Sequence, residues 1–485
     1  MSFPMDKKDP DLVEDNVSSA EGQIDPYNRM PESLRTLSDD ELITLNKKVV
    51  RKVDLFVLPT IGILYILNYI DRQNLSAAKL QGIMEDLNMS TEQFATAVSI
   101  LFIARPGMYI CAAVTIWGCI SACTAVVKTY GELLAVRAIL GAAEAVFFPG
   151  AIYYLSAWYT KKELGKRIAG LYIAQQVGNA FGGLFAAAIL QLDGQHGIAG
   201  WRWLFIIEGC ATVGIGIICA CIMPEFPHNS RILNQIERDC AVWRIESEAG
   251  AAEGTEEESV LKGFVKALKD PKLVLLIFCN MLSQTQGSIA NYFPTLVSSL
   301  NFSSTISLLL TAPPYILAGA VYYVLMFYSD RKNTVYPIIL ICIAISIGMY
   351  IIPMATTNVG ARYFSMMILP FASVGPQLLL YKTINLHLAR PISKRAAASA
   401  LVNAIGGTSN IWASYLYFGE PHFFAAFGTL MGAAFLFAIT ITVYRWLILR
   451  ENRRLDSGDP VEIAKVIKGG VTEEMIQLNW RYEMY

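Results

Sequence analysis

The chain is 485 residues long, 54% hydrophobic and only 16% charged, with a formal net charge of −1 and a mean hydropathy of +0.42. A soluble chain of this size carries about a quarter charged residues, so this composition selects a polytopic membrane protein. A net charge this close to zero offers no polycationic surface, and no nucleic-acid partner is expected. The nine cysteines are Cys111, Cys119, Cys123, Cys210, Cys219, Cys221, Cys240, Cys279 and Cys342. All but Cys240 lie in apolar runs, with no Cys-x-x-Cys and no Cys/His cluster at metal-ligand spacing. They are expected as buried small hydrophobes, and neither a metal nor another cofactor is expected.

Residues 1–50 read as a polar, acidic tail with a short helix over 38–48. They contain no apolar core of a cleavable signal peptide, so the first span is expected to act as the targeting signal. A span of about 20 apolar residues crosses about 30 Å of hydrocarbon. Such spans fall near 54–78, 107–127, 133–157, 166–190, 201–223, 273–297, 305–328, 334–354, 361–384, 396–418 and 423–448. One long charged connection, 224–272, contains a helix-like stretch over 232–247. It separates an N-terminal half (51–223) from a C-terminal half (273–449), and residues 450–485 read as a second tail.

Lys and Arg orient the spans. One side collects Lys47, Lys48, Arg51, Lys52, Lys161, Lys162, Lys166, Arg167, the 224–272 loop, Arg331-Lys332, Arg390, Lys394-Arg395 and the run from Arg445 to Arg454. The other has little beyond Lys79, Lys128, Arg202 and Arg362. This alternation requires the apolar segment 93–103 to count as a crossing, giving twelve crossings with both ends cytoplasmic. Yet about 12 helical residues at 1.5 Å each do not span the hydrocarbon. The segment runs directly into Arg105-Pro106-Gly107, whereas its second-half counterpart is a full span ending at Asp330-Arg331. The second span is therefore expected to be truncated, by a distorted crossing or, preferentially, by a missing stretch.

Ionisable residues inside spans carry the functional signal, because each costs roughly 2.5–3.5 kcal/mol at a helix centre. The first span contains Asn68-Tyr69-Ile70-Asp71-Arg72-Gln73-Asn74 and the span at 133–157 contains Arg137 and Glu144. Arg137 and Glu144 are seven residues apart, on one helix face about two turns from each other. The opposed directions of the two spans bring all four charges to compatible depths. They can form static pairs, Asp71–Arg137 and Arg72–Glu144, that hold two helices together. They can instead divide into working roles, an arginine gripping a carboxylate and acids that load and release a proton once burial has brought their titration toward neutrality. Gln175, Gln176, Gln284, Gln286, Asn403 and Asn410 are weaker candidates, each a plausible interhelical hydrogen-bonder. The run Gly178–Gly183 suits close helix packing, Pro313-Pro314 and Pro353 suit kinks, and His387 reads as interfacial.

Several runs together resemble the major facilitator superfamily, and within it the fungal anion:cation symporter branch of allantoate, nicotinate, pantothenate and biotin permeases. They are Tyr69–Asn74, Arg137–Gly150, Tyr153–Tyr159, Gly200-Trp201-Arg202-Trp203-Leu204-Phe205-Ile206-Ile207-Glu208-Gly209, Leu310–Tyr315, and Arg390-Pro391 with Lys394-Arg395-Ala396. The resemblance covers roughly 48–455. It implies an all-α major facilitator fold of two six-helix halves and an expected monomer. It also implies that Arg72 binds the substrate carboxylate, that Tyr69, Gln175 and Gln284 contact substrate, and that Asp71 and Glu144 couple protons with Arg137 pairing Glu144. Asp330 and Arg331 match the family's gating loop, most of whose first-half copy is absent here.

The sequence thus reads as a secondary transporter carrying a small organic anion with protons, in the plasma membrane or alternatively the vacuolar membrane. The rival is a non-transporting sensor, or an inactive or mis-spliced paralogue, on account of the short second span. An intramembrane enzyme is disfavoured: there is no Gly-x-Ser-x-Gly and no nucleophile–base pair at credible spacing.

Overall fold

The computed structural model describes residues 30–79, 83–87, 110–144, 147–250, 264–265, 267–268, 270–332, 334–387, 392–457, 459–468 and 482. Every regular element among them is helical, as a backbone in hydrocarbon requires, since it must satisfy its own polar groups. The segment 93–103 and the Arg105-Pro106-Gly107 stub lie outside the described residues.

After a single turn, α1 (Glu32–Arg35), comes α2 (Asp39–Lys79), a 41-residue helix. It unites the short helix expected over 38–48 with the first span and passes through residue 50, the expected tail boundary, without a break. The reason is periodicity: Leu42, Val49, Val53, Val57, Ile61 and Leu64 are all buried on one face, so the inward stripe continues across the polar-to-apolar transition. A turn, α3 (Ile83–Asp86), follows.

The rest of the first half comprises α4 (Ile110–Cys123) with its terminal 3-10 turn Thr124–Val126, then α5 (Tyr130–Glu144), α6 (Phe147–Ser156), α7 (Lys161–Ile189) and α8 (Gly200–Ile222). The connecting segment carries α9 (Gln235–Gly250). The second half holds α10 (Pro271–Gly287), α11 (Phe293–Ser298), α12 (Ser304–Leu309), α13 (Ala312–Lys332), α14 (Tyr336–Ala355), α15 (Val359–His387), α16 (Ile392–Gly407), α17 (Ser409–Ala413) and α18 (Phe424–Asp456), followed by α19 (Pro460–Lys468). Among the described residues, eight helical stretches are long and apolar enough to cross a membrane, and Ile110–Val126 is apolar but shorter. The span expected at 396–418 is built in pieces, and residues 145–146 of the span expected at 133–157 lie outside the described residues. Pro313-Pro314 open α13 after a break at Leu310-Thr311, where a missing N–H costs a helix nothing.

Two close approaches in the first half fix its geometry. A Cβ on Gly178 of α7 would stand 2.8 Å from the Ile66 oxygen and 2.9 Å from the Tyr69 Cβ of α2. One on Gly209 of α8 would stand 2.6 Å from the Ala122 nitrogen of α4. Neither position has room for a larger residue. These contacts set the helices that carry Tyr69, Ser121 and Glu208 at backbone distance from their neighbours.

Charge pairs gather at the basic face. Lys52 and Lys48 meet Glu237 of α9 at 2.7 and 3.2 Å. Arg167 meets Asp54 at 2.8 Å, and Arg244 meets Glu163. Burial pushes the Glu237 carboxyl up, but hydrogen bonds from Lys52, the Asn234 backbone and Lys48 outweigh it and hold the group below the usual carboxylate range. In the second half Lys394 meets Asp270 at 2.7 Å and Lys272 meets Glu451 at 2.8 Å.

One expectation needs correction. Cys119, Cys123, Cys210 and Cys221 are exposed on α4 and α8 and not buried, because a thiol facing hydrocarbon loses no apolar contact by leaving the bundle core. His387, in the last turn of α15, is buried with its Nδ1 2.8 Å from the Tyr444 hydroxyl.

Candidate functional site

α2 runs away from the basic face and brings Asp71 to about 12 Å from its far end at Lys79; α5 runs back from Tyr130 and carries Arg137 at about 10 Å and Glu144 at about 21 Å from that end. The four charges therefore do meet, but not as two symmetrical pairs.

Arg72 donates from Nε to Glu144 Oε2 at 2.9 Å and lies 5.3 Å from the centroid of the Tyr69 ring. Its side chain keeps 31% of its surface exposed against 2% for Glu144. Asp71 is buried and accepts from the Ser121 hydroxyl and, at 3.3 Å, from Asn74 Nδ2. Arg137 is fully buried 5.3 Å over the Phe205 ring, and none of its three guanidinium nitrogens has a hydrogen-bond partner among the described residues. Asp71 and Glu144 are the acids whose charge acts on it. Of the two pairs the sequence allows, Arg72–Glu144 forms and Asp71–Arg137 does not. Nor is the Arg137–Glu144 pairing that the resemblance implies made by hydrogen bonds: Glu144 gives Oε2 to Arg72 and leaves Oε1 without a partner. Asp71 is instead held by neutral donors, and Arg137 lies against an aromatic face of α8.

Around Arg72 the walls are aromatic and amide. Tyr69 packs edge-on to Tyr65, with ring centroids 5.1 Å apart, and Tyr172 of α7 stacks on Tyr381 of α15 at 6.5 Å. Gln377 donates to the Tyr381 hydroxyl at 3.0 Å, and Gln284 approaches the same hydroxyl from α10. Gln284 thus joins this aromatic wall. Gln175 is half-buried on the stripe of α7 that includes Gly178 and Gly182 and faces α2. Its neighbour Gln176 lies against Gly319 of α13, on the boundary between the halves. Asn403 is exposed and bonds within its own helix. Arg331 is exposed in the last turn of α13; Asp330 lies beside it, and its side chain is outside the described set.

The halves meet on the side away from the basic face. Gln73 donates to the Ala290 carbonyl at 3.3 Å, and Gly183 lies against Leu308 and Thr311. Sequence reasoning missed the two tyrosines of the wall and Glu208. Glu208 is an acid inside the 23-residue α8, 7% exposed, with neither carboxylate oxygen hydrogen-bonded. The rule that singled out Asp71 could have found it, since it too is an ionisable residue in an apolar run.

A profile described as the Major Facilitator Superfamily matches residues 61–414. The chain belongs to the major facilitator superfamily. It is similar to the MFS-type transporter cnsO of Penicillium expansum, 30% identical over 88% of each chain. It also resembles the major facilitator-type transporter hxnP of Emericella nidulans, 28% identical over 90% of this chain and 93% of that one. To the high-affinity nicotinic acid transporter of Saccharomyces cerevisiae it is 28% identical over 70% of this chain and 66% of that one. Among solved structures it shares its fold with a bacterial homologue of the human lysosomal transporter Spinster, with a TM-score of 0.59, 15% identity, and 80% and 94% of the two chains covered. The xylose transporter XylE of E. coli gives a TM-score of 0.56 at 15% identity, covering 79% and 96%. This major facilitator is accordingly a multi-pass membrane transporter and not an enzyme, and the arrangement about Arg72 is its candidate substrate site.

Proposed function

We propose that the protein carries a small organic anion together with protons, by rocking of its two halves about a site centred on Arg72. The observation that carries this reading is the inequality among the four charges. Asp71, Arg137 and Glu144 are buried, whereas Arg72 alone of them keeps 31% of its side-chain surface open. Only Nε is engaged by Glu144, so the terminal nitrogens of the fork can take a carboxylate in charge-assisted hydrogen bonds. An anion arriving there competes with Glu144 for the guanidinium, and a Glu144 released from its partner in a buried site takes up a proton. Substrate binding and protonation are thereby linked through one ion pair. Tyr69 and Gln284, with Gln175 nearby on α7, frame the anion, and the 330–331 turn serves as a gate on the cytoplasmic side. The fungal nicotinic acid transporter among the relatives supports a carboxylate-bearing vitamin or nitrogenous metabolite as cargo.

The test is uptake of radiolabelled nicotinate, pantothenate and allantoate, with and without an imposed proton gradient. Accumulation that needs the gradient and disappears in Arg72→Ala is expected; uptake indifferent to both sinks the mechanism. The short interval before Arg105 favours a second reading, an inactive or sensing paralogue. Transcript sequencing across codons 100–106 separates the two: an in-frame insertion of about 15–20 residues, roughly 8 to complete a 30 Å crossing and the rest for the missing loop, supports the transporter, and its absence supports the rival.

A further inference from the structure

We infer that Glu208 is a proton-binding residue of this transporter, a carboxyl that holds a proton at rest and passes it to Asp71. The inference rests on the proton-coupled reading above and assigns it a third acid.

Glu208 stands eight residues from the start of α8 at Gly200, about 12 Å in, the same depth as Asp71 and Arg137 measured from their own helix ends. From α2 it faces Asp71 and Asn74, the polar groups that act on it, and neither donates a hydrogen bond to its oxygens. From α5, Arg137 lies over Phe205, one turn before Glu208 on the same helix. α4 contributes the Ser121 hydroxyl to Asp71, and its cysteines at this level, Cys119 and Cys123, are exposed. From α7 and the turn after it nothing ionisable reaches this level, since 168–192 contains no charged residue.

Two independent counts converge on a proton at Glu208. The first is charge. Asp71, Glu144 and Glu208 make three carboxyls, against two guanidiniums, Arg72 and Arg137, that stay charged under all conditions. Fully ionised, the cluster holds one uncompensated negative charge where burial is expensive, and one proton removes it. The second count is hydrogen bonds. Asp71 already accepts from two donors and Glu144 from Arg72, whereas Glu208 has neither donor nor ion pair among the described residues. Asp71 Oδ2 and Asn74 Oδ1 are buried acceptors that also lack a donor. A protonated Glu208 supplies a donor for one of those oxygens, and an ionised one leaves both unsatisfied.

The transfer is a single exchange. The O–H bond of Glu208 breaks as a new O–H bond forms at Asp71 Oδ2; Glu208 becomes the carboxylate, Asp71 the neutral acid, and no other reactant is needed. The Glu208 carboxylate is then recharged from solution on whichever side the cavity opens.

The full chain reconstituted in lipid vesicles tests this by infrared difference spectroscopy during a pH titration. At neutral pH the wild type is expected to show a protonated-carboxyl band that is absent in Glu208→Gln and retained in Glu208→Asp. Asp71→Asn removes one of the three carboxyls, and with it the excess negative charge, so the band is expected to weaken or move in frequency. In the same vesicles Glu208→Gln should support counterflow exchange of radiolabelled nicotinate while gradient-driven accumulation falls at least tenfold. An undiminished band in Glu208→Gln, or a band neither weakened nor moved in Asp71→Asn, overturns the assignment. Wild-type uptake that ignores the gradient would instead overturn the symport reading, and the band alone would still decide whether Glu208 holds a proton.

Discussion

At the basic edge of the second half of the bundle, buried ions come as finished pairs. Lys394 and Asp270, with side chains 4% and 1% exposed, meet at 2.7 Å, and Asp270 also caps α10 by accepting from the Lys272 backbone at 3.0 Å. In the first half, beside the pairs at its own basic face, a cluster of ions sits about 10–20 Å inside the helices and is unfinished. Among the described residues Arg137 has no hydrogen-bond partner, Glu144 and Asp71 each keep an idle oxygen, and Glu208 keeps two. A buried pair whose hydrogen bonds are complete holds a structure in one state. A buried cluster short of donors and acceptors can change protonation and partners at small cost, as a transport cycle requires.

The sharpest way to break this comparison is to unpair an ion in the finished half. Lys394→Met leaves Asp270 buried without its partner and is expected to cost about 3–5 kcal/mol of stability, read as a lower unfolding temperature in detergent. Whatever protein survives should keep the wild-type gradient dependence of uptake; a changed dependence would mean that both halves take part in coupling. Glu144→Gln, in the unfinished half, should do the reverse. Gradient-driven accumulation is expected to fall about tenfold, some 1.4 kcal/mol, with counterflow exchange retained and unfolding temperature little changed. Tyr69→Leu removes the ring beside Arg72 and should weaken anion binding about two- to fivefold, the 0.5–1 kcal/mol of a partly exposed cation–π contact, whereas Tyr69→Phe should not.

The smallest effect belongs to α9. Glu237 is held below the usual carboxylate range, so its contribution is present above the unfolded value near 4 and is lost as pH falls through the lower folded value. Because Lys48 and Lys52 are 61% and 34% exposed, Glu237→Gln should cost no more than about 1 kcal/mol. It is read as faster maleimide labelling of Cys240, a thiol buried on α9, in a variant retaining only that cysteine. Unchanged labelling would show that the contact holds nothing.

Asp71, Arg72, Arg137 and Glu144 were legible because charge inside an apolar run is expensive whatever surrounds it, and the depth argument put them together. Their partners were not legible. Whether Arg72 or Arg137 takes Glu144 depends on side-chain direction about two helix axes, which spacing alone leaves open. Glu208 met the same criterion but sat inside a run whose tryptophans and arginine drew the reading toward a family marker. Gln175 and Gln176 differ by 100° on α7, and only the packing of Gly178 against Ile66 and of Gln176 against Gly319 decides which faces the other half. The continuity of α2 was written in its buried stripe but masked by the polar residues on its opposite face.

The central claim is that the open fork of Arg72 takes the anion and that Glu144 answers with a proton. Proteoliposomes holding the full chain, loaded at one pH and diluted into another, measure it directly as initial uptake of radiolabelled nicotinate by the wild type and by Arg72→Ala/Glu144→Gln, which removes both members of the one ion pair together. Gradient-dependent uptake by the wild type, with loss of about 100-fold or more in the double variant, the effect of about 3 kcal/mol of charge-assisted hydrogen bonding, is the expected result. Uptake that survives in the double variant and still follows the gradient would contradict it.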